Sequence, residues 1–235
     1  MVEAAAVTAE LSAAGLAFGP PTAKPAALRW GPLFDALDGD GDGHGHGHGD
    51  ADYVSAVELI YEGYLFHYRE SRVSTTPADA RETTLLAGDF FYARGLRLIA
   101  ARGDADAVGL LARLMAACSY LRSVGAPFAA DDALWAYTMG GLAALRGGTP
   151  AATAAGLFER FEAAVVGGAA VDVRGLARAE ARRLELRAAA PLERELSGEG
   201  AAAAASAAAP ASAAAPSGRL AAPASAAAPA SAAGR

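Results

Sequence analysis

The 235-residue chain has one cysteine, Cys118, so no disulfide can form within it, and a lone free thiol suits a reducing compartment. β-Branched residues are sparse, and no segment alternates apolar with polar side chains over a useful length; a sheet is therefore not expected to organise the fold. No apolar run reaches the roughly 18 residues that a membrane-spanning helix needs, and the N-terminus lacks a basic n-region followed by a long apolar core. Positive charge is also short. Lys and Arg number 20 against 26 Asp and Glu, a net charge of −6, which argues against nucleic acid as the main partner. Two signatures of enzymatic chemistry are missing as well: no G-x-S-x-G nucleophile elbow and no G-x-x-x-x-G-K-[ST] phosphate loop occurs. The expectation is a soluble cytoplasmic protein without a transmembrane segment, with peripheral contact to a membrane left open.

Helical periodicity fills the space left by those absences. Leu111, Leu114, Met115, Cys118 and Leu121 recur at three and four, which makes Cys118 a small hydrophobe on an apolar stripe. Leu134, Trp135, Thr138, Met139, Leu142 and Leu145 repeat the pattern behind Asp131, read as an N-cap. Thr149-Pro150 opens a helix carrying Leu157, Phe158, Phe161 and Val165 until Gly167-Gly168 stops it. Residues 172 to 189 form another helix, ended before Pro191, and two more precede residue 38. The sum is an all-α protein, a single bundle of about eight helices over residues 1–197. Residues 198–235 are Ala, Ser and Pro in near-repeats, with almost nothing large to bury, and are expected to be a disordered tail.

The helix over 83–101, TTLLAGDFFYARGLRLIAA, is apolar almost all round, with Leu85, Tyr92, Leu96 and Ile99 forming one stripe. Such a helix belongs in the middle of a bundle. Asp89 falls within the stripe, so it is expected to be a buried structural acid, hydrogen-bonded or paired to hold two helices in register.

Residues 38–52, DGDGDGHGHGHGDAD, are of low complexity. Asp38, Asp40, Asp42 and Gly43 imitate the start of a calcium loop, but its eighth and twelfth positions are Gly45 and Gly49, where an apolar residue and a bidentate Glu are required. His44, His46 and His48 are imidazoles able to converge on nickel, zinc or copper, at a high ordering cost because glycines alternate with them. A solvated, repeat-expanded loop is the better reading, and the three histidines are at most a weak metal site. Arg174, Arg178 and Arg182 form an i, i+4, i+8 row, the pattern of a solvated helix face.

VELIYEGYLFHYRES, residues 57–71, combines an apolar helical face with a sudden polar end at His67, Tyr68, Arg69 and Glu70. This segment and TTLLAGDFFYARGLRLIAARGD resemble, in this order, two helices of the trans-prenyl diphosphate synthases. Val57, Glu58, Leu59, Ile60, Leu65 and His67 match the family's "VELIH…SLIHDD" helix; Leu85, Leu86, Ala87, Gly88, Asp89, Phe90, Ala93 and Arg94 match its "LLAGDYLLARA" helix. ALRWGPLFDAL, from Ala27, is similar to a worn form of the "GGKRLRP" entry that keeps only Arg29. The resemblance spans about residues 25–125.

That resemblance implies an all-helical isoprenoid-synthase-like fold and puts Tyr68, Arg69 and Arg72 where the first aspartate motif, DDxxD, binds magnesium and the allylic diphosphate. Two arginines and a tyrosine do not supply the hard oxygen ligands that magnesium requires. Nothing from Val165 to Gly200 resembles the second aspartate motif, and Asp131-Asp132 comes too early to replace it. The losses resemble those of the noncatalytic small subunit (component I) of heterodimeric heptaprenyl or hexaprenyl diphosphate synthases. The implied partner is a catalytic large subunit, which alone would carry Mg2+; this chain would hold no cofactor. Gly63, Tyr64 and His67 are then possible tunnel or chain-length positions in contact with the polyprenyl product. The competing readings are a divergent stand-alone prenyltransferase and a metal-handling protein built on the His/Gly loop.

Overall fold

The computed structural model describes residues 4–24, 26–38, 49–75, 80–186 and 189–198. His44, His46, His48 and the tail from residue 199 lie outside the described residues. The protein is all-α: among the described residues there are ten α-helices and no strand, only an isolated antiparallel bridge between Pro21 and Ser74. In chain order the helices are α1 (Ala4–Gly15), α2 (Gly31–Asp38), α3 (Gly49–Tyr68), α4 (Arg81–Ala101), α5 (Ala105–Ser123), α6 (Phe128–Arg146), α7 (Ala151–Ala154), α8 (Gly156–Val166), α9 (Val173–Ala181) and α10 (Ala189–Ser197). No helix among the described residues is long and apolar enough to cross a membrane.

Local chemistry sets several of these boundaries. Asp104 caps α5 by accepting from the Ala107 N–H at 2.8 Å, and Asp172 caps α9 by accepting from the Gly175 N–H at 3.0 Å. Pro150 precedes α7, and Gly168, at φ 69°, ends the α8 segment in the left-handed region. Three boundaries depart from the sequence reading, the first being the helix opened by Thr149-Pro150, which is interrupted at Ala155 and so divided into α7 and α8. The helix begun at Asp172 stops at Ala181, passes into a 3-10 turn over Arg182–Leu184 and breaks at Glu185, whose φ is 50°. Pro191 then sits in the first turn of α10 rather than terminating a helix, a place where its missing N–H costs nothing.

The α3–α4 pair is the most extensive helix contact in the fold. Its seam is made of small residues: Ala87, Gly88 and Gly95 are buried on α4 together with Phe91 and Ile99. A methyl group on Gly95 would lie 2.6 Å from Ile60 Cγ1 and 2.7 Å from the Ala56 carbonyl oxygen. One on Gly88 would lie 2.4 Å from His67 Nε2. Close approach therefore depends on the absent side chains.

This packing overturns the expected position of α4. The bulky residues are outside: Leu85, Leu86 and Phe90 are 44%, 65% and 40% exposed. Asp89 turns outward with them, its side chain 72% exposed, and it pairs with His67 at 3.3 Å. It is not a buried structural acid, because the glycine face of α4, not the leucine face, meets α3.

α6 is the buried helix instead. Everything from Ala133 to Ala144 on it is buried, including Trp135, Tyr137 and Met139. Trp135 stacks on Trp30, which leads into α2, with ring centroids 6.0 Å apart and planes 9° apart. Tyr61 and Tyr64 of α3 meet the same indole edge-on at 5.1 and 6.0 Å.

Candidate functional site

The end of α3 and the segment after it carry Tyr68, Arg69 and Arg72, and each of these three has a partner inside the protein. Tyr68 Oη lies 2.7 Å from Ser119 Oγ on α5. Arg69 lays its guanidinium on the Phe128 ring at 4.2 Å and approaches Asp132 at 3.8 Å. Arg72 turns inward. Its Nε donates to Glu62 Oε2 at 2.8 Å and its Nη1 to Glu58 Oε2 at 2.6 Å, and both carboxylates are fully buried.

Glu58 has a second task. Its Oε1 accepts from the backbone N–H groups of Arg29, Trp30 and Gly31, each at 2.7 Å, and so caps the start of α2 from another helix. Glu62 Oε1 likewise accepts from Ser71 Oγ at 2.7 Å and from the Arg72 N–H at 2.8 Å. Burial alone would lower the Arg72 guanidinium; the two carboxylates outweigh it and hold the group above its ordinary value. Arg29 forms a two-pronged pair with Glu195 of α10 at 3.2 and 2.8 Å. These contacts tie α2, α3, α10 and the segment after α3 together.

Opposite the end of α3 stands the start of α6. Asp131 is wholly buried and is not an N-cap, since α6 begins at Phe128 behind Pro127. Its Oδ2 accepts from Tyr64 Oη at 3.0 Å and forms an ion pair with Arg122 Nη2 at 2.9 Å. Burial raises the Asp131 carboxyl above its usual value even with these partners, and it raises Asp132 in the same way. Burial, with Asp131 beside it, also pushes the Cys118 thiol well up. The structure thus brings Asp131-Asp132 face to face with Tyr64 and Arg69, a juxtaposition that sequence spacing did not suggest. Only the three-dimensional return of α6 onto α3 reveals it.

Gly63, Tyr64 and His67 do not share one surface. Gly63 lies against the Tyr92 ring and the Gly88 carbonyl of α4, and His67 stacks on Tyr92 at 5.1 Å. Tyr64 instead points toward α6. A cleft of about 660 Å3 opens beside His67, lined also by Arg69, Ser71, Arg81, Thr84 and Leu85.

As a magnesium site Tyr68, Arg69 and Arg72 do not fit. Arg69 and Arg72 bring positive charge, Tyr68 is hydrogen-bonded to Ser119, and the nearby carboxylates already neutralise arginines. Among the described residues no group of three His, Cys, Asp or Glu side chains converges as a ligand set. No family model matches the chain, and neither does any curated protein or solved structure.

Proposed function

We propose that this chain is a noncatalytic accessory subunit of a heterodimeric long-chain polyprenyl diphosphate synthase, supporting the activity and product length of a catalytic partner in isoprenoid (quinone side chain) biosynthesis. One observation carries the reading. The positions that correspond to the first aspartate motif hold Tyr68, Arg69 and Arg72, and Arg72 is locked between the buried carboxylates of Glu58 and Glu62. That arrangement keeps the fold of the site and replaces its metal chemistry with an internal ion-pair network. The Mg2+ that ionises an allylic diphosphate then belongs to the partner.

A stand-alone prenyltransferase would have to draw on Asp131 and Asp132, and these acids are already answered by Tyr64, Arg122 and Arg69. Apolar surface beside the same site supports docking: Tyr120, Val124 and Phe128 are 38%, 57% and 39% exposed at the junction of α5 and α6. In this reading Gly63 and His67 pack the α3–α4 seam, and any contact with the polyprenyl product comes from the α6 side. The test is co-expression with the host synthase that carries both aspartate motifs. Co-elution of the two as one complex, reduced by Val124→Glu, is expected; separate elution of two well-folded proteins would end the proposal.

A further inference from the structure

We infer that the cavity between α9 and α10 binds a small amphiphilic carboxylate, with its headgroup at Arg178 and Arg182 and its apolar body against Leu192 and Leu196. This goes beyond the proposed function and does not rest on it. The cavity measures about 280 Å3, near the lower end of the range for small-molecule sites, so its occupant is small. Leu192 and Leu196, one turn apart on α10, make an apolar wall with Ala181, the last residue of α9, and with Ala189. The two alanines leave open the space that larger side chains would fill.

Charge on the rim selects the headgroup. Arg178 and Arg182 belong to the arginine row that the sequence assigns to a solvated face; both are exposed, and both also line this cavity. Arg178 Nε donates to the Leu196 carbonyl at 3.1 Å, so α10 holds that guanidinium at the cavity and leaves its two Nη groups for a ligand. Neither arginine has an ion pair among the described residues. Glu193 is the carboxylate on the same lining. Two guanidiniums against one carboxylate leave one net positive charge, which a monoanion neutralises. A carboxylate fits a guanidinium fork through paired N–H donors. A diphosphate would instead bring excess negative charge up to Glu193. The apolar wall in turn asks for a hydrocarbon body rather than a bare anion.

The experiment is isothermal titration calorimetry of the full chain with octanoate, and with octylamine, 1-octanol and acetate as controls. One octanoate per chain is expected, with each control at least about tenfold weaker. Each methylene removed from octanoate is expected to weaken binding about fourfold. Arg178→Gln and Arg182→Gln should each weaken octanoate at least about tenfold, and Glu193→Gln should tighten it. Ala181→Leu, which fills the cavity and keeps every charge, should abolish binding. Helical circular dichroism checks each variant's fold. Should Ala181→Leu disturb it, Arg182→Gln decides, because Arg182 has no side-chain hydrogen bond or ion pair to lose among the described residues. No binding of octanoate, octylamine binding as tightly, or affinity unchanged in Arg182→Gln would overturn the assignment. Several octanoates per chain, undiminished in a folded Ala181→Leu protein, would mean adsorption to the surface at large and overturn it equally. Co-elution with the catalytic synthase is read separately, so failure here leaves the proposed function standing.

Discussion

Arg72 donates to Glu58 Oε2 at 2.6 Å while the other oxygen of that carboxylate takes three backbone N–H groups from residues 29–31. One buried carboxylate thus closes a helix end and neutralises an arginine that the next stretch of chain delivers. Removing either member exposes the other to an uncompensated charge in a dry interior, which governs the first prediction.

Arg72→Met is expected to destabilise the fold by about 3–5 kcal/mol, because Glu58 and Glu62 would stay buried without their cation. Arg72→Asp, which puts a third carboxylate beside Glu58 and Glu62, is expected to prevent stable folding rather than create a metal site. Urea denaturation followed by circular dichroism measures the first, and magnesium titration of any folded Arg72→Asp protein checks the second. A folded Arg72→Asp protein stabilised by magnesium would show that the network is not what holds this end of α3.

The two aspartates that sequence reading weighed exchange roles, and their variants should show it. Asp131→Ala leaves the Tyr64 hydroxyl without its acceptor and Arg122 without its buried counter-ion, and is expected to cost about 3 kcal/mol. Asp89→Ala, on an exposed site, should change stability by no more than about 0.5 kcal/mol. Paired denaturation curves decide the order. Equal effects would contradict the burial of one and the exposure of the other.

Along the α3–α4 seam, Gly95→Ala is expected to be the more damaging of the two glycine substitutions, by about 1–3 kcal/mol. Its new methyl group meets the Ala56 carbonyl oxygen at 2.7 Å and Ile60 at 2.6 Å, and backbone cannot rotate aside. Gly88→Ala meets the His67 ring, a side chain able to swing toward the adjoining cleft. The gain in helix propensity, about 1 kcal/mol in each case, offsets part of the clash. Melting temperatures of the two variants test the ranking.

Acidification should destabilise the protein through His67. Burial lowers its imidazole below the ordinary value of 6.5, and the charge of Asp89 and its hydrogen bond to the ring only partly offset that. A depressed folded-state value means that the unfolded chain takes up the proton first. The stability contributed by neutral His67 is complete above about pH 6.5 and is lost as pH falls through the lower folded value. Denaturation midpoints between pH 7.5 and 5 should therefore fall more steeply for the wild type than for His67→Gln. Parallel profiles would remove His67 from the account.

What could be read from the sequence follows from what is local. Periodicity, proline and glycine gave the all-α class and most helix starts, because those signals act within a turn or two of the residue that carries them. The facing of α4 could not be read that way. Bulk predicts burial only when the close contact is made by large side chains, and here Gly88 and Gly95 let backbones approach so that small residues took the inside. Asp131 was misjudged for a related reason. Its three-residue distance from Phe128 leaves it in the first turn either way, and only the approach of Tyr64 and Arg122 makes it a buried acceptor. The capping of α2 by Glu58 spans nearly thirty residues, with no local signature. Proline marks both a helix end and a helix first turn, and at Pro191 only the surrounding fold selects the second.

The most direct test of the central claim is incorporation of labelled isopentenyl diphosphate by this chain alone, by the full-motif synthase alone, and by their mixture. The account predicts no turnover by this chain, and greater activity or longer products from the mixture than from the synthase. Magnesium-dependent turnover by this chain alone, or a mixture that behaves as the synthase does by itself, would contradict it.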